Sequence, residues 1–149
     1  MTKTIEQKYK ELSEQEHVLL RPGMYVGSVK PELSTQFVFD YKEQMMVQKE
    51  VEYVPAILKL IDEIISNSTD EYRRPDNIGL TQISVTIMKD NTIVIEDNGG
   101  IPVVKHKEAG IMVPQLIFGR MRTSSNYSDD EDRSGLGTNG VGSSLTNIF

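Results

Sequence analysis

The chain contains no cysteine. Disulfides and thiolate-held metals are therefore excluded, and nothing in the composition points to secretion. It also lacks a basic excess: 16 Lys and Arg stand against 22 Asp and Glu, a formal net charge of -6, with an isoelectric point near 4.9. A dedicated nucleic-acid-binding module is normally basic, so that class is disfavoured. A domain that serves a DNA machine without gripping DNA is not. No apolar run approaches the roughly 20 residues a bilayer demands, and Met1 to Lys8 lack the apolar centre of a signal peptide. These absences point to a soluble cytoplasmic protein with no membrane partner, in the host cytoplasm if its source is viral. A length of 149 residues suffices for one domain with a core of its own.

Proline, glycine and hydrophobic spacing then divide the chain. Residues 1–15 are polar, with only Ile5, Tyr9 and Leu12 as apolar anchors, and read as an arm leading into a short helix. A helix before Pro22 should stop ahead of it, and Pro22-Gly23 should turn. Phe37, Val38 and Phe39 suggest a short strand followed by a polar loop. From Val54 a long helix is predicted, with Pro55 in its first turn and Ile57, Leu60, Ile61 and Ile64 facing the core. Ile83, Val85 and Ile87 alternate with polar residues, and Thr92 to Glu96 return as the second strand of a hairpin. A further helix is expected from Val113 to about Met121. Residues 123–142 form a polar, acidic, glycine-rich loop that opens a last helix.

Three segments could carry chemistry. Glu63 lies one helical turn before Asn67, so both side chains can reach one cleft. A carboxylate there can take a proton from water and orient it toward a phosphoryl group. An amide oxygen is a hard neutral ligand suited to magnesium. The same pair also fits a solvated stripe on an amphipathic helix. Asp97 precedes Gly99 and Gly100, where a flat ligand could approach the backbone and its amine could meet the carboxylate; an ordinary turn has the same wording. Gly135 to Ser144 hold four glycines ahead of a helix, a backbone that can wrap an anion or serve as a surface linker. The segment lacks the lysine of a P-loop and does not fit a dinucleotide fingerprint. Isolated His17 and His106 receive no role.

Taken together, Glu63 to Asn67, Asp97 to Pro102 and Gly135 to Gly142 resemble the motifs of the GHKL (Bergerat-fold) ATPases. Within that family the chain resembles the N-terminal ATPase region of type II DNA topoisomerases. Glu16 to Ser28 is similar to the family's N-terminal segment. Val113 to Gly119 and Thr123 to Tyr127 resemble its eukaryotic and viral branch, and Asn139 to Phe149 resembles the phage large subunit. The resemblance implies an α+β, two-layer sandwich with helices on one face of a mixed β-sheet, comprising an arm over residues 1–15 and the first part of an ATPase domain over 16–149. It implies ATP and Mg2+ as cofactors and an ATP-dependent enzyme. Glu63 would be the general base, Asn67 the magnesium ligand and Asp97 the partner of the adenine amine. Ser124, Ser125 and Asn126 would meet ribose and phosphates. Gly137, Thr138, Asn139, Gly140, Val141, Gly142, Ser143 and Ser144 would wrap the triphosphate, with Glu71, Gly99 and Ile101 completing the nucleotide site. The arm would cross to a second subunit. The implied partners are other topoisomerase subunits or a completing C-terminal chain, a dimer in the assembled enzyme, and duplex DNA through the holoenzyme. A chaperone or mismatch-repair ATPase, and a non-catalytic partner of a topoisomerase, are the rival readings.

Two departures from the family pattern carry expectations. Its acidic turn reads Asp-x-Gly-x-Gly before Ile-Pro, whereas Asp97-Asn98-Gly99-Gly100-Ile101-Pro102 is one residue shorter, so the turn should be tighter and the adenine pocket reshaped. The sequence also ends at Phe149, inside the last helix. The family's remaining strands and the lysine supplied by the next domain would lie beyond it. This polypeptide alone is therefore expected to bind nucleotide weakly and hydrolyse it poorly, as a split subunit or a fragment.

Overall fold

The computed structural model describes residues 4–74, 79–123 and 140–149. After a short helix α1 (Ile5–Lys8), helix α2 (Glu14–Leu20) begins at a reciprocal cap. The Ser13 hydroxyl accepts from the Glu16 amide at 3.3 Å, and the Glu16 carboxylate accepts from the Ser13 amide at 2.9 Å. This satisfies donors that a helix start leaves without partners. The boundary expected between residues 15 and 16 thus falls inside α2. The helix stops at Leu20, and Pro22–Met24 form a single 3-10 turn.

Two antiparallel hairpins follow, separated by the longest helix. Strands β1 (Glu32–Asp40) and β2 (Met45–Tyr53) pair over their whole length. Helix α3 (Pro55–Arg73) has Pro55 at its start, where the missing N–H costs nothing. Strands β3 (Ile83–Ile87) and β4 (Ile93–Asp97) form the second hairpin, followed by α4 (Val113–Gly119) and α5 (Gly142–Ile148). The first hairpin is far longer than the three-residue strand expected around Phe37. Among the described residues the strands make two separate antiparallel ladders, so the parallel pairing of a mixed sheet is not among them. Nor is any helix there long and apolar enough to cross a membrane.

The core is small and helical. Val18 of α2, Val26, Ala56 of α3 and Leu145 of α5 are buried together, with Tyr25, Val54, Leu60, Met121, Val141 and Ile148 packed around them. Helix α5 packs against α3, and β4 also meets α3. Ile57, expected in the core, is 55% exposed. The smaller Ala56 is buried instead, and its amide donates to the Ser28 carbonyl at 3.0 Å.

Candidate active site

Helix α3 runs as the floor of a cavity of about 780 Å3. It contributes Lys59, Glu63, Asn67, Ser68, Asp70 and Glu71, among others. The end of β4 and the turn after it add Asp97, Gly100, Ile101 and Pro102. Gly140, Val141, Gly142 and Ser143 close it from the α5 side. The volume lies within the roughly 300–1,000 Å3 typical of small-molecule sites. Segments far apart in the sequence therefore share one hollow.

Glu63 is held on both sides. Its Oε1 receives the Lys59 ammonium at 2.5 Å. This hydrogen bond raises Lys59 above the ordinary lysine value, outweighing the opposite effect of burial. Its Oε2 lies against Gly142. A Cβ on Gly142 would stand 2.7 Å from the Glu63 carboxyl carbon and 3.0 Å from its Cβ, with the oxygen closer still. Only glycine fits there. One turn on, the Asn67 amide donates to the Ser143 hydroxyl at 2.8 Å, a second link between α3 and the start of α5. Thr146 adds a third, its hydroxyl reaching the Leu60 carbonyl at 3.5 Å.

Asp97 also lines the cavity. Its Oδ2 accepts from the Ser68 hydroxyl at 2.6 Å, and its Oδ1 from the Gly99 amide at 3.0 Å. Asn98 stitches the turn to the entry of β3: its side-chain oxygen accepts from the Thr81 and Gln82 amides, each at 2.9 Å. A Cβ on Gly99 would meet Leu80 Cδ1 at 2.8 Å, so the shortened turn is tightly packed against Leu80. Gly140 adopts a left-handed φ of 60°, which favours glycine, and its carbonyl accepts from the Thr123 amide at 2.9 Å. Gly140 is thereby tied to the segment after α4.

Among the residues expected in the site, Glu63, Asn67, Glu71, Asp97, Ile101, Gly140, Val141, Gly142 and Ser143 line this cavity. Glu71 is paired with Arg74 at 3.0 Å. Gly99 stands behind Asp97 and supports it through its amide. Ser144 is buried, and its hydroxyl turns back to the Val141 carbonyl at 2.9 Å. Ser124, Ser125, Asn126, Gly137, Thr138 and Asn139 lie outside the described residues. Sequence reading passed over Lys59, Ser68 and His106, all of which line the cavity. Lys59 was legible as the residue four before Glu63. Ser68 was not, because its partner lies 29 residues away.

No family model matches the chain. Comparison with individual proteins is informative at two levels. In fold, the chain superposes on the ATPase region of Saccharomyces cerevisiae topoisomerase II with a TM-score of 0.86 and 40% identity, covering 95% of this chain and 38% of that one. It superposes on the ATPase and transducer domains of Balamuthia mandrillaris DNA topoisomerase II with a TM-score of 0.88 and 42% identity, covering 97% and 37%. The described elements are thus part of the α+β GHKL sandwich expected from the motifs. In sequence, the chain is 46% identical over 153 residues to DNA topoisomerase 2 of Plasmodium falciparum and 45% identical over 148 residues to human DNA topoisomerase 2-beta. Over nearly its whole length the chain is similar to the ATPase region of type II DNA topoisomerases. It spans 11% and 9% of the length of those two relatives, although they cover 99% and 98% of it. These relatives are eukaryotic, and the phage likeness expected at the C-terminal segment is not carried by them.

Proposed function

We propose that this chain binds ATP and, within an assembled type II topoisomerase, hydrolyses it to drive closure of a dimeric gate that captures a DNA duplex. The observation that carries this reading is the meeting of Glu63 and Asn67 with Gly142 and Ser143 in the cavity that also holds Asp97. The residues fit a magnesium triphosphate. Magnesium keeps water and substrate phosphates as most of its ligands, so one hard protein oxygen, the Asn67 amide, is enough. When bound, the ion would neutralise phosphate charge.

The chain's own residues then divide the work. Asp97 accepts a hydrogen bond from the adenine amine, and Ile101 and Gly100 flank the base. Gly140 to Ser143 approach the phosphates, joined by the glycine-loop residues before them and by Ser124 to Asn126. Glu63 orients a water and takes its proton as the water oxygen bonds to the γ-phosphorus and the bond to ADP breaks. Lys59 fixes the carboxylate on the side away from Gly142. Residues 1–15 serve as the arm that reaches the second subunit. Similarity to topoisomerase ATPase regions across the whole chain favours this reading over a chaperone or mismatch-repair ATPase.

Glu63→Ala in the assembled enzyme tests it. ATP turnover should fall by about 100-fold or more, while equilibrium ATP binding is kept. Turnover that survives the substitution would remove Glu63 as the base. A complex that never hydrolyses ATP, with Glu63 intact, would favour the non-catalytic partner.

A further inference from the structure

Ser68 stands one residue beyond Asn67 but faces a different neighbour. Serine and threonine inside helices commonly donate back to the carbonyl four residues earlier, as Thr69 does to Ile65 at 2.9 Å. Ser68 does not. It is only 6% exposed, and its hydroxyl leaves the helix to meet Asp97 Oδ2 at 2.6 Å. That length belongs to a charge-assisted O–H···O bond. With the Gly99 amide on Oδ1, the two oxygens of Asp97 are each fixed by a donor from a different element, one on α3 and one in its own turn.

We infer that Ser68 is a specificity-determining positioning residue, which locks the Asp97 carboxylate so that the cavity selects a purine carrying a 6-amino group over one carrying a 6-oxo group. The inference rests on the proposed role of Asp97 as the partner of the base and deepens it. An ionised carboxylate only accepts hydrogen bonds. A 6-amino group donates to it; a 6-oxo group sets oxygen against oxygen. The rejection is sharp only while the carboxylate cannot turn away. Rotation about its side-chain bonds would open room for water and relieve the conflict. Ser68 and Gly99 together prevent that rotation, and Gly99 does so through a backbone amide that every substitution except proline leaves in place. The side chain at position 68 is therefore the adjustable part of the selection.

The test compares ATP with inosine triphosphate, which differs at the 6-position, by equilibrium binding to the assembled protein. Wild type should prefer ATP. Ser68→Ala, a residue that favours helix, should reduce that preference about tenfold, the worth of one hydrogen bond to a charged group, chiefly by weakening ATP. Ser68→Thr, which keeps the hydroxyl, should restore it. Thermal midpoints of the variants report folding separately. Equal weakening of both nucleotides, or an unchanged ratio in Ser68→Ala, overturns the inference while leaving Asp97 as the base partner. A wild-type protein that binds both nucleotides alike overturns the assignment of Asp97 and this inference with it.

Discussion

The first hairpin and the wedge between α3 and α5 are built on opposite plans. Strands β1 and β2 pair residue for residue, nine against nine. Their regularity is local, and one face is left open: Leu33, Phe37, Phe39 and Met46 are between 45% and 68% exposed. The wedge has little regular pairing. Its contacts join residues far apart in the chain, such as Asn67 with Ser143 and Glu63 with Gly142, and there the side chains are fixed by specific partners. Regular backbone does not mark the candidate site of this molecule. Long-range side-chain contact does.

That contrast makes substitutions in the wedge costly and those in the hairpin mild. Leu145 is 1% exposed and sits where α5 meets the core. Leu145→Ala should cost about 2–5 kcal/mol, read from the urea midpoint with an unchanged slope. A loss below 1 kcal/mol on the order of a surface substitution would mean that α5 is not anchored as described.

Gly142→Ala is the more pointed test. In a helix, alanine is intrinsically preferred over glycine by about 1 kcal/mol. The Glu63 carboxyl group, however, occupies the space the new methyl would need. Net destabilisation of about 1–3 kcal/mol is expected, as for overpacking. Combining it with Glu63→Ala should remove the penalty, giving a strong coupling in a double-mutant cycle. Additive effects would separate the two residues and dissolve the wedge.

The smallest effect belongs to the hairpin. Asp40 accepts from Lys49 at 2.7 Å and from the amides of Lys42 and Glu43. The Lys49 hydrogen bond, followed by those from the two amides, lowers its pKa from 3.8 to about 2. A group depressed in the folded state contributes stability above its unfolded pKa and loses it as pH falls through the folded one. The gap in stability between wild type and Asp40→Asn should therefore be constant above pH 4 or so and shrink toward pH 2. The pair is exposed and screened, so the gap is small at any pH. A gap that widens on acidification would reverse the sign of the argument.

Legibility in the sequence followed the same division in reverse. Prolines announced the start of α3, the end of α2 and the start of α4, because each removes a donor that a helix interior needs. The strict alternation of Ile83, Val85 and Ile87 gave the second hairpin. The first hairpin was mostly missed, because Gln48, Lys49, Glu50 and Glu52 fill β2 with residues of low strand preference. Its pairing comes from cross-strand register, which one strand's wording does not reveal. In the cavity, the shared position of Glu63 and Asn67 was readable from one-turn spacing. The adjacent Ser68 was not, since a buried serine in a helix looks like any other until the strand it meets is known. Ile57 misled because helical spacing identifies a stripe but not which end of it the neighbouring chain covers.

The central claim is that one metal-bound triphosphate sits where α3 meets the start of α5. Manganese accepts the same oxygen ligands as magnesium and broadens nearby nuclear resonances. With Mn2+ and a non-hydrolysable ATP analogue, the signals of Asn67, Gly142 and Ser143 should broaden together, while those of Phe37 and Glu50 on the first hairpin stay sharp. Broadening that spares Asn67, or that falls on the hairpin instead, would contradict the account.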